Sequence, residues 1–171
     1  MDKELMKVLE ARELRWKMRK MLVKRECCTL ITITLCVPVV FRTDEEFWTI
    51  FQKLCKRFYE FLDSCDYKAN IQSYIRGNDG PAVFITINAE ADMVKRLCVK
   101  AENTIPFGRI LDIDVMDYEG KPIGRNDLSL PPRKCFICDN PAVLCVSRKL
   151  HTSEEIYSHV EKIKEQIIGL H

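Results

Sequence analysis

The sequence has few of the residues that interrupt regular structure, with 6 glycines and 7 prolines among 171 residues. This scarcity argues against long disordered segments, and a hydrophobic content of 47% is typical of a folded protein. A chain of this length usually forms one domain, since domains of roughly 100–200 residues are common. We therefore expect a single domain over residues 1–171.

Long apolar runs and an excess of one charge are also absent. The longest apolar run, residues 30–41, is too short to cross a bilayer. The first residues lack the charged and then apolar pattern of a signal peptide. These two observations predict a cytoplasmic protein with no membrane partner. The net charge of +2 is too small to predict a nucleic-acid partner.

Cysteine, in contrast, is abundant, with nine in the chain. Without a secretory signal, such cysteines are more often reduced thiols or metal ligands than disulfides. The segment CFICDNPAVLCVSRKLH offers a complete tetrahedral set of zinc ligands in the spacing C-x2-C-x6-C-x5-H. We interpret it as a structural zinc site, because four protein ligands leave no position open for catalysis; ordinary buried cysteines and a surface histidine are the alternative. The candidate ligands are Cys135, Cys138, Cys145 and His151.

Between residues 29 and 118 the sequence changes repeatedly between strand and helix periodicity. Apolar residues alternate in TLITITLCV, AVFITIN and ILDIDVMDY, and they recur at helical spacing in the segments between. A capping box of Thr43 and Glu46 begins the first helix of this region, and the turn at 77–80 closes a hairpin. The order β-α-β-β-α-β predicts an α+β fold, a ferredoxin-like two-layer sandwich with both helices on one face of an antiparallel sheet.

The rest of the chain extends this core, residues 28–118, at both ends. Residues 1–26 are rich in helix formers and predict a long N-terminal helix. Its cations outnumber its acids, which fits either a polyanionic ligand or a solvated basic face. Residues 119–171 predict a cysteine-rich loop and a final helix that begins at a capping box of Thr152 and Glu155.

The strand ILDIDVMDY carries acidic residues where apolar ones are expected. Asp112 and Asp114 are two positions apart, so both carboxylates lie on one face of the strand, whereas Asp117 lies on the other. Paired carboxylates suit Mg²⁺, which supports phosphoryl or nucleotidyl transfer; a solvated edge strand is the alternative. The cations that would hold phosphate oxygens beside them are Arg109, Lys121 and Arg125.

Three segments, GRILDIDVMD, LPPRKCFICDNPAVLC and SRKLH, together resemble the holo-citrate lyase synthase family, the apo-citrate lyase phosphoribosyl-dephospho-coenzyme A transferases. They fall on residues 108–117, 130–145 and 147–151, in the family's order. The segment CVPVVFRT departs from the family, because it lacks the asparagine and glycine of the turn usual after the first strand. We expect substrate contacts at this turn to be altered or made by other residues.

The resemblance implies a nucleotidyltransferase-type active site. The donor would be triphosphoribosyl-dephospho-coenzyme A, the acceptor a serine of the citrate lyase acyl carrier (gamma) subunit, and pyrophosphate would be released. Asp112 and Asp114 would hold Mg²⁺, and one of them would receive the serine proton. The residues expected to bind substrate are Arg109, Arg125 and Lys121, together with Arg12 and Arg15 for the donor or the carrier.

Two alternatives remain at this point. One is a non-catalytic, ferredoxin-like module that binds a protein partner and releases no pyrophosphate. The other is the equivalent transferase for the carrier subunit of malonate decarboxylase, which would share the chemistry and differ in the carrier.

Overall fold

The computed structural model describes residues 3–169, so residues 1, 2, 170 and 171 of the predicted range lie outside the described residues. A five-stranded sheet is its centre, and every pair of neighbouring strands is antiparallel. The strands are β1 (Thr29–Leu35), β2 (Ala69–Gly77), β3 (Gly80–Ile87), β4 (Leu111–Met116) and β5 (Pro122–Ile123). Their order across the sheet is β2-β3-β1-β4-β5. The antiparallel sheet expected from the sequence is confirmed.

Six α-helices accompany the sheet within residues 3–169. They are α1 (Lys3–Glu26), α2 (Val39–Arg42), α3 (Glu45–Ser64), α4 (Ala91–Thr104), α5 (Ala142–Ser147) and α6 (Ser153–Gly169). The α+β class is therefore confirmed. Among the described helices, none has the length and apolar character needed to cross a membrane.

One face of the sheet, covered by α3, α4 and α6, forms the larger core. Ile31 and Ile33 of β1 point into this core, because alternate side chains of a strand lie on opposite faces. Phenylalanines at helical spacing in α3 pack against them, and burial of each contributes about 1.5–3 kcal/mol. The fully buried phenylalanines of α3 are Phe47, Phe51 and Phe58.

The opposite face of the sheet is covered by α1. Leu22 and Val23, near the C-terminal end of α1, pack on Leu30 and Phe84. The sequence predicted a β1 with one apolar face, yet Thr32 on its other face is only 2% exposed because α1 lies across it. The N-terminal helix thus covers part of the second side of the sheet.

The capping box predicted at Thr43 is wrong by one residue. α3 begins after Asp44, whose carboxylate accepts a hydrogen bond from the backbone N–H of Glu46 at 2.7 Å. Thr43 instead caps the C-terminal end of α2. That four-residue helix was not predicted, because one turn is too short to show a period.

The segment predicted as a cysteine-rich loop contains three short elements: β5, a 3-10 helix at Asn126–Leu128, and α5. β5 pairs with the end of β4, at Val115 and Met116. The predicted start of the last helix is confirmed: the Thr152 N–H donates to Glu155 at 2.8 Å, and the Glu155 N–H donates to the Thr152 hydroxyl at 3.1 Å. The capping box is therefore the boundary between the loop and α6.

Candidate functional site

The two acidic residues of β4 lie on the face of the sheet that α1 covers. Asp112 is opposite Thr34 of β1, and Asp114 is opposite Thr32, in the antiparallel register. Their spacing of two therefore places both carboxylates on one face. The side chains of Asp112 and Asp114 are 47% and 56% exposed, so a ligand can reach them.

The helix α1 turns a row of arginines toward these carboxylates. Arg12, Arg15 and Arg19 are separated by three and four positions, so they share one face of the helix. Arg19 donates to Asp114 Oδ2 at 2.5 Å and to Thr32 Oγ1 at 3.0 Å. The same helix face becomes apolar further along, where it packs on the sheet. This packing fixes the height of the arginines above β4.

The turn between β2 and β3 positions two arginines of the site. Gly80 has a φ of 108°, and a Cβ at this position would lie 2.6 Å from the Cβ of Arg42. Glycine therefore permits the close approach of α2. Asp79 in the same turn is 3% exposed and forms a buried ion pair with Arg15. The hairpin thus contacts both arginines: Asp79 pairs with Arg15, and Gly80 packs against Arg42.

The arginines of α1 and α2 and the two aspartates of β4 line a cavity of about 350 Å³, which we call the arginine cavity. Burial, together with the charges of Arg19, Arg42 and Arg12, lowers the pKa of Arg15 to about 10. Crowded like charges are unfavourable, so an anion bound among them stabilises the arrangement. The lining residues are Arg12, Arg15, Trp16, Arg19, Thr34, Arg42, Asp112 and Asp114.

The composition of the arginine cavity defines what it can bind. Guanidinium groups match phosphate oxygens with paired hydrogen bonds, and four of them exceed the charge of the two carboxylates. Oxygen ligands on one face suit a hard divalent cation such as Mg²⁺. Asp112 and Asp114 fit this requirement, because they share a face and remain half exposed. The site can therefore hold a polyphosphate and a divalent ion together.

The cations predicted beside the aspartates lie elsewhere, outside the lining of the arginine cavity. Arg109 donates to Asp139 at 3.1 Å and borders a different cavity, formed with α4 and α6. Arg125 forms an ion pair with the buried Glu102. The backbone N–H of Lys121 donates to Asp117, in the turn after β4. Arg12 and Arg15 are thus the predicted cations that the structure brings to Asp112 and Asp114.

Asp112 has an arginine partner of its own outside the cavity lining. Arg133 Nη1 donates to Asp112 Oδ1 at 2.7 Å. Burial opposes the charge of Arg133, but the acidic groups of Cys36, Asp112 and Glu102 outweigh it and raise the pKa of Arg133. Arg133 therefore stays charged and holds one oxygen of the carboxylate.

The four candidate zinc ligands converge, and all their ligand atoms lie within 4.8 Å of one another. We call residues 135–151 the knuckle. The Nε2 atom of His151 lies 3.6 Å from Cys135 Sγ and 3.4 Å from Cys138 Sγ, and the Sγ atoms of Cys138 and Cys145 are 3.5 Å apart. Zinc bonds of about 2.0–2.3 Å at tetrahedral angles separate ligand atoms by about 3.5–3.8 Å, so the donor set fits such an ion.

The thiols of the knuckle differ in their acidity. The pKa of Cys138 is lowered to about 7, first by a hydrogen bond with the backbone of Asn140 and then by hydrogen bonds with Cys145, His151 and Cys135. Burial and the hydrogen bond to Cys138 raise the pKa of Cys145 to about 12. One thiolate is thus favoured before any metal binds, and metal binding would deprotonate the others.

The family sequence model described as apo-citrate lyase phosphoribosyl-dephospho-CoA transferase matches residues 3–167. The chain belongs to this family. A probable apo-citrate lyase phosphoribosyl-dephospho-CoA transferase of Vibrio cholerae serotype O1 is 27% identical over 157 residues, which cover 91% of this chain and 88% of the relative. Transferases of the same name from Shigella boydii serotype 18 and Escherichia coli O157:H7 are each 26% identical over 160 residues, covering 94% of this chain and 87% of the relative.

The family resemblance recognised in three segments is therefore confirmed, whereas several residues around the site were missed. Arg19 had a signal in the sequence, since it continues the helical spacing of Arg12 and Arg15. Arg42 had none, because a turn of β2 and β3 brings it to the site. It lies in the segment CVPVVFRT that departs from the family's usual turn, so this departure borders the arginine cavity.

Proposed function

We propose that this protein transfers the phosphoribosyl-dephospho-coenzyme A group from its triphosphate precursor to a serine of the citrate lyase acyl carrier subunit. The observation that carries the proposal is the arginine cavity, in which four guanidinium groups surround two half-exposed carboxylates. A triphosphate donor requires this combination, because its phosphates need cations and its transfer needs charge neutralisation. Family membership over residues 3–167 supports phosphoribosyl-dephospho-CoA as the transferred group and apo-citrate lyase as its acceptor.

The reaction is a nucleotidyl-type transfer. The serine oxygen attacks the phosphorus that links the ribose to the triphosphate, a phosphodiester bond forms, and the bond to pyrophosphate breaks. Arg12, Arg15, Arg19 and Arg42 would bind the triphosphate and the departing pyrophosphate. The serine proton passes to Asp112 or Asp114. Arg109, Arg125 and Lys121 as substrate ligands stay a prediction from the sequence.

Asp112 and Asp114 would hold Mg²⁺ in this reaction. The bound ion would neutralise phosphate oxygens and lower the pKa of the attacking hydroxyl. Arg19 and Arg133 each hold one oxygen of these carboxylates, which limits their rotation. The aspartates are thereby oriented before substrate binds.

We assign structural zinc to the knuckle, since three thiolates and an imidazole at these separations complete a tetrahedron. The ion would hold together a segment that has little core of its own, with Val143 and Val146 of α5 exposed. We also interpret the four strands β1 to β4 with α3 and α4 as a ferredoxin-like unit within one domain, in view of the order β2-β3-β1-β4. The cytoplasmic location stays a prediction.

The test uses the purified protein, the apo acyl carrier subunit of citrate lyase, triphosphoribosyl-dephospho-coenzyme A and Mg²⁺. Intact mass spectrometry of the carrier is expected to show a gain equal to the prosthetic group, and released pyrophosphate is expected in equal amount. Omitting Mg²⁺ should abolish the gain, and adding it back should restore it. A folded protein that gives no gain and no pyrophosphate would favour the non-catalytic binding module.

The apo carrier of malonate decarboxylase is the matched control substrate. Its mass is expected to change at least 10-fold more slowly than that of the citrate lyase carrier. The reverse preference would move the assignment to the malonate decarboxylase branch, while leaving the chemistry in place.

A further inference from the structure

Arg133 makes three hydrogen bonds to one short stretch of chain at the start of β4. Its guanidinium donates to Asp112 Oδ1 at 2.7 Å, to the carbonyl of Arg109 at 2.8 Å and to the carbonyl of Leu111 at 2.7 Å. The side chain of Arg133 is 22% exposed and is absent from the lining of the arginine cavity. It therefore holds both the backbone and the carboxylate of the Asp112 region from behind the cavity.

The backbone of Arg133 is fixed by the knuckle. Its carbonyl accepts a hydrogen bond from the Ala142 N–H at 2.8 Å, and the Cys135 N–H donates to the Asn140 carbonyl at 2.8 Å. A β-bridge between Lys134 and Pro141 lies between these two bonds. The turn from 133 to 142 is thus closed at its base by Arg133, two residues before the first candidate metal ligand.

A second arginine connects the same two regions in the opposite direction. Arg109, just before β4, donates to the Cys135 carbonyl at 3.5 Å and to Asp139 at 3.1 Å. The knuckle and the start of β4 are therefore joined by two arginines. Of these two contacts, the one through Arg133 reaches Asp112.

We propose that Arg133 is a positioning residue, which holds Asp112 in the orientation needed for transfer and is itself held in place by metal binding in the knuckle. This inference rests on the proposed function, because it assigns Asp112 to the reacting site. A bound metal ion would tie Cys135, Cys138 and Cys145 together and so close the turn that carries Arg133. Metal content of the knuckle then sets the transfer rate at a site that the metal does not touch.

The first test replaces Arg133 with methionine, which keeps most of the aliphatic length and removes the guanidinium group. We expect kcat for carrier loading to fall about 10²-fold, since small misplacement of a reacting group has effects of this size. The KM for the donor should stay within about twofold, because Arg133 does not line the cavity. Arg133→Lys should not restore kcat, since one ammonium group cannot reproduce three bonds in fixed directions.

Binding of Mn²⁺ to the free protein, followed by electron paramagnetic resonance, separates positioning from folding. Loss of a neighbouring positive charge should leave the Mn²⁺ affinity of Arg133→Met equal to or higher than that of wild type, although kcat falls. Loss of Mn²⁺ binding together with kcat would mean a structural role and would overturn the inference. An unchanged kcat would also overturn it. Wild-type protein that fails to load the carrier would overturn the proposed function instead, and this inference with it.

The link to the knuckle is tested by removing its metal and restoring it with Zn²⁺. In wild type, removal of the metal should lower kcat by about the same 10²-fold and should speed hydrogen exchange at the Ala142 amide. In Arg133→Met, removal of the metal should lower kcat by less than about twofold further, because the contact to Asp112 is already lost. If the losses of kcat from metal removal and from Arg133→Met multiply, the two changes act independently, and the proposed coupling between the knuckle and Arg133 is contradicted. Asp139→Asn is the matched control, because it loosens the other contact, with Arg109, and should leave kcat within about twofold. If the metal-free protein loses its near-ultraviolet circular dichroism, it has lost its tertiary packing. The kcat and Mn²⁺ affinity of the Arg133 variants then decide whether Arg133 positions Asp112.

Discussion

The arginine cavity and the knuckle differ in how far apart their residues lie along the chain. The knuckle takes its four candidate ligand atoms from residues 135–151, and the spacing of three cysteines and one histidine indicates them. The arginine cavity takes its side chains from α1, β1, α2 and β4, between residues 12 and 114. A site built from one segment can be recognised by spacing, whereas a site built from several elements exists only after they pack.

The largest expected effect is at the sheet side of the arginine cavity. Asp114→Asn should lower kcat for carrier loading about 10³-fold, because in the proposed reaction it removes a carboxylate that would hold Mg²⁺ and could receive the serine proton. The fold should persist, since the side chain is 56% exposed. The measurement is carrier mass against time at saturating donor, with circular dichroism as the check on folding.

Asp117→Asn is the matched control for this prediction. Asp117 is also acidic and lies just after β4, but it borders another cavity, with Cys27 and Tyr118. Its replacement should leave kcat within about threefold. Equal losses in Asp114→Asn and Asp117→Asn would mean that the arginine cavity is not the reacting site.

The second effect in size concerns the knuckle. Cys145→Ser should reduce bound zinc from about one per chain to near zero and lower the melting temperature by roughly 6–12 °C, equivalent to about 3 kcal/mol. Zinc is measured by mass spectrometry of the metal and melting by circular dichroism. Cys27→Ser, at an exposed cysteine outside the knuckle, should change neither quantity. A Cys145→Ser protein that retains its zinc would contradict the ligand assignment.

These two sites also show what the sequence could and could not predict. The long elements were foreseen because their periods are carried by many residues, as in α3 and β1, and the spacing of the four candidate zinc ligands predicted a cluster that the structure shows. Arg19 was missed although it continues the helical spacing of Arg12 and Arg15, and Arg42 was missed because its place in the arginine cavity depends on packing against the β2–β3 turn. Conversely, Arg125 is near the aspartates in sequence, but the buried carboxylate of Glu102 binds it.

A smaller effect tests whether the cavity arginines act as an anion site. Pyrophosphate at about 100 times its Kd should stabilise the wild type by about 2.7 kcal/mol, through binding to the folded state alone. Arg12→Met should weaken pyrophosphate binding about 10-fold, and less in high salt, because it removes one of four cations. Calorimetric titration with pyrophosphate measures the affinity.

Lys17→Met is the control for Arg12→Met, since Lys17 is on the same helix and pairs with Glu13. It removes the same charge from a side chain that does not line the arginine cavity. Pyrophosphate affinity should therefore change by less than about twofold. If both variants weaken binding equally, the overall charge of α1 and not the cavity attracts the anion.

The smallest effect concerns the boundary between the knuckle and α6. Thr152→Ala removes the hydroxyl that accepts from the Glu155 N–H, and should destabilise the protein by about 1 kcal/mol, or roughly 2–4 °C in melting temperature. Ser153→Ala, one residue on, should cost less than about 0.5 kcal/mol. Zinc content should stay near one per chain, because His151 precedes the helix and is held by the thiols around it. Loss of zinc in Thr152→Ala would show that the cap also positions His151, so that even this locally recognisable site depends on the packing of its neighbour.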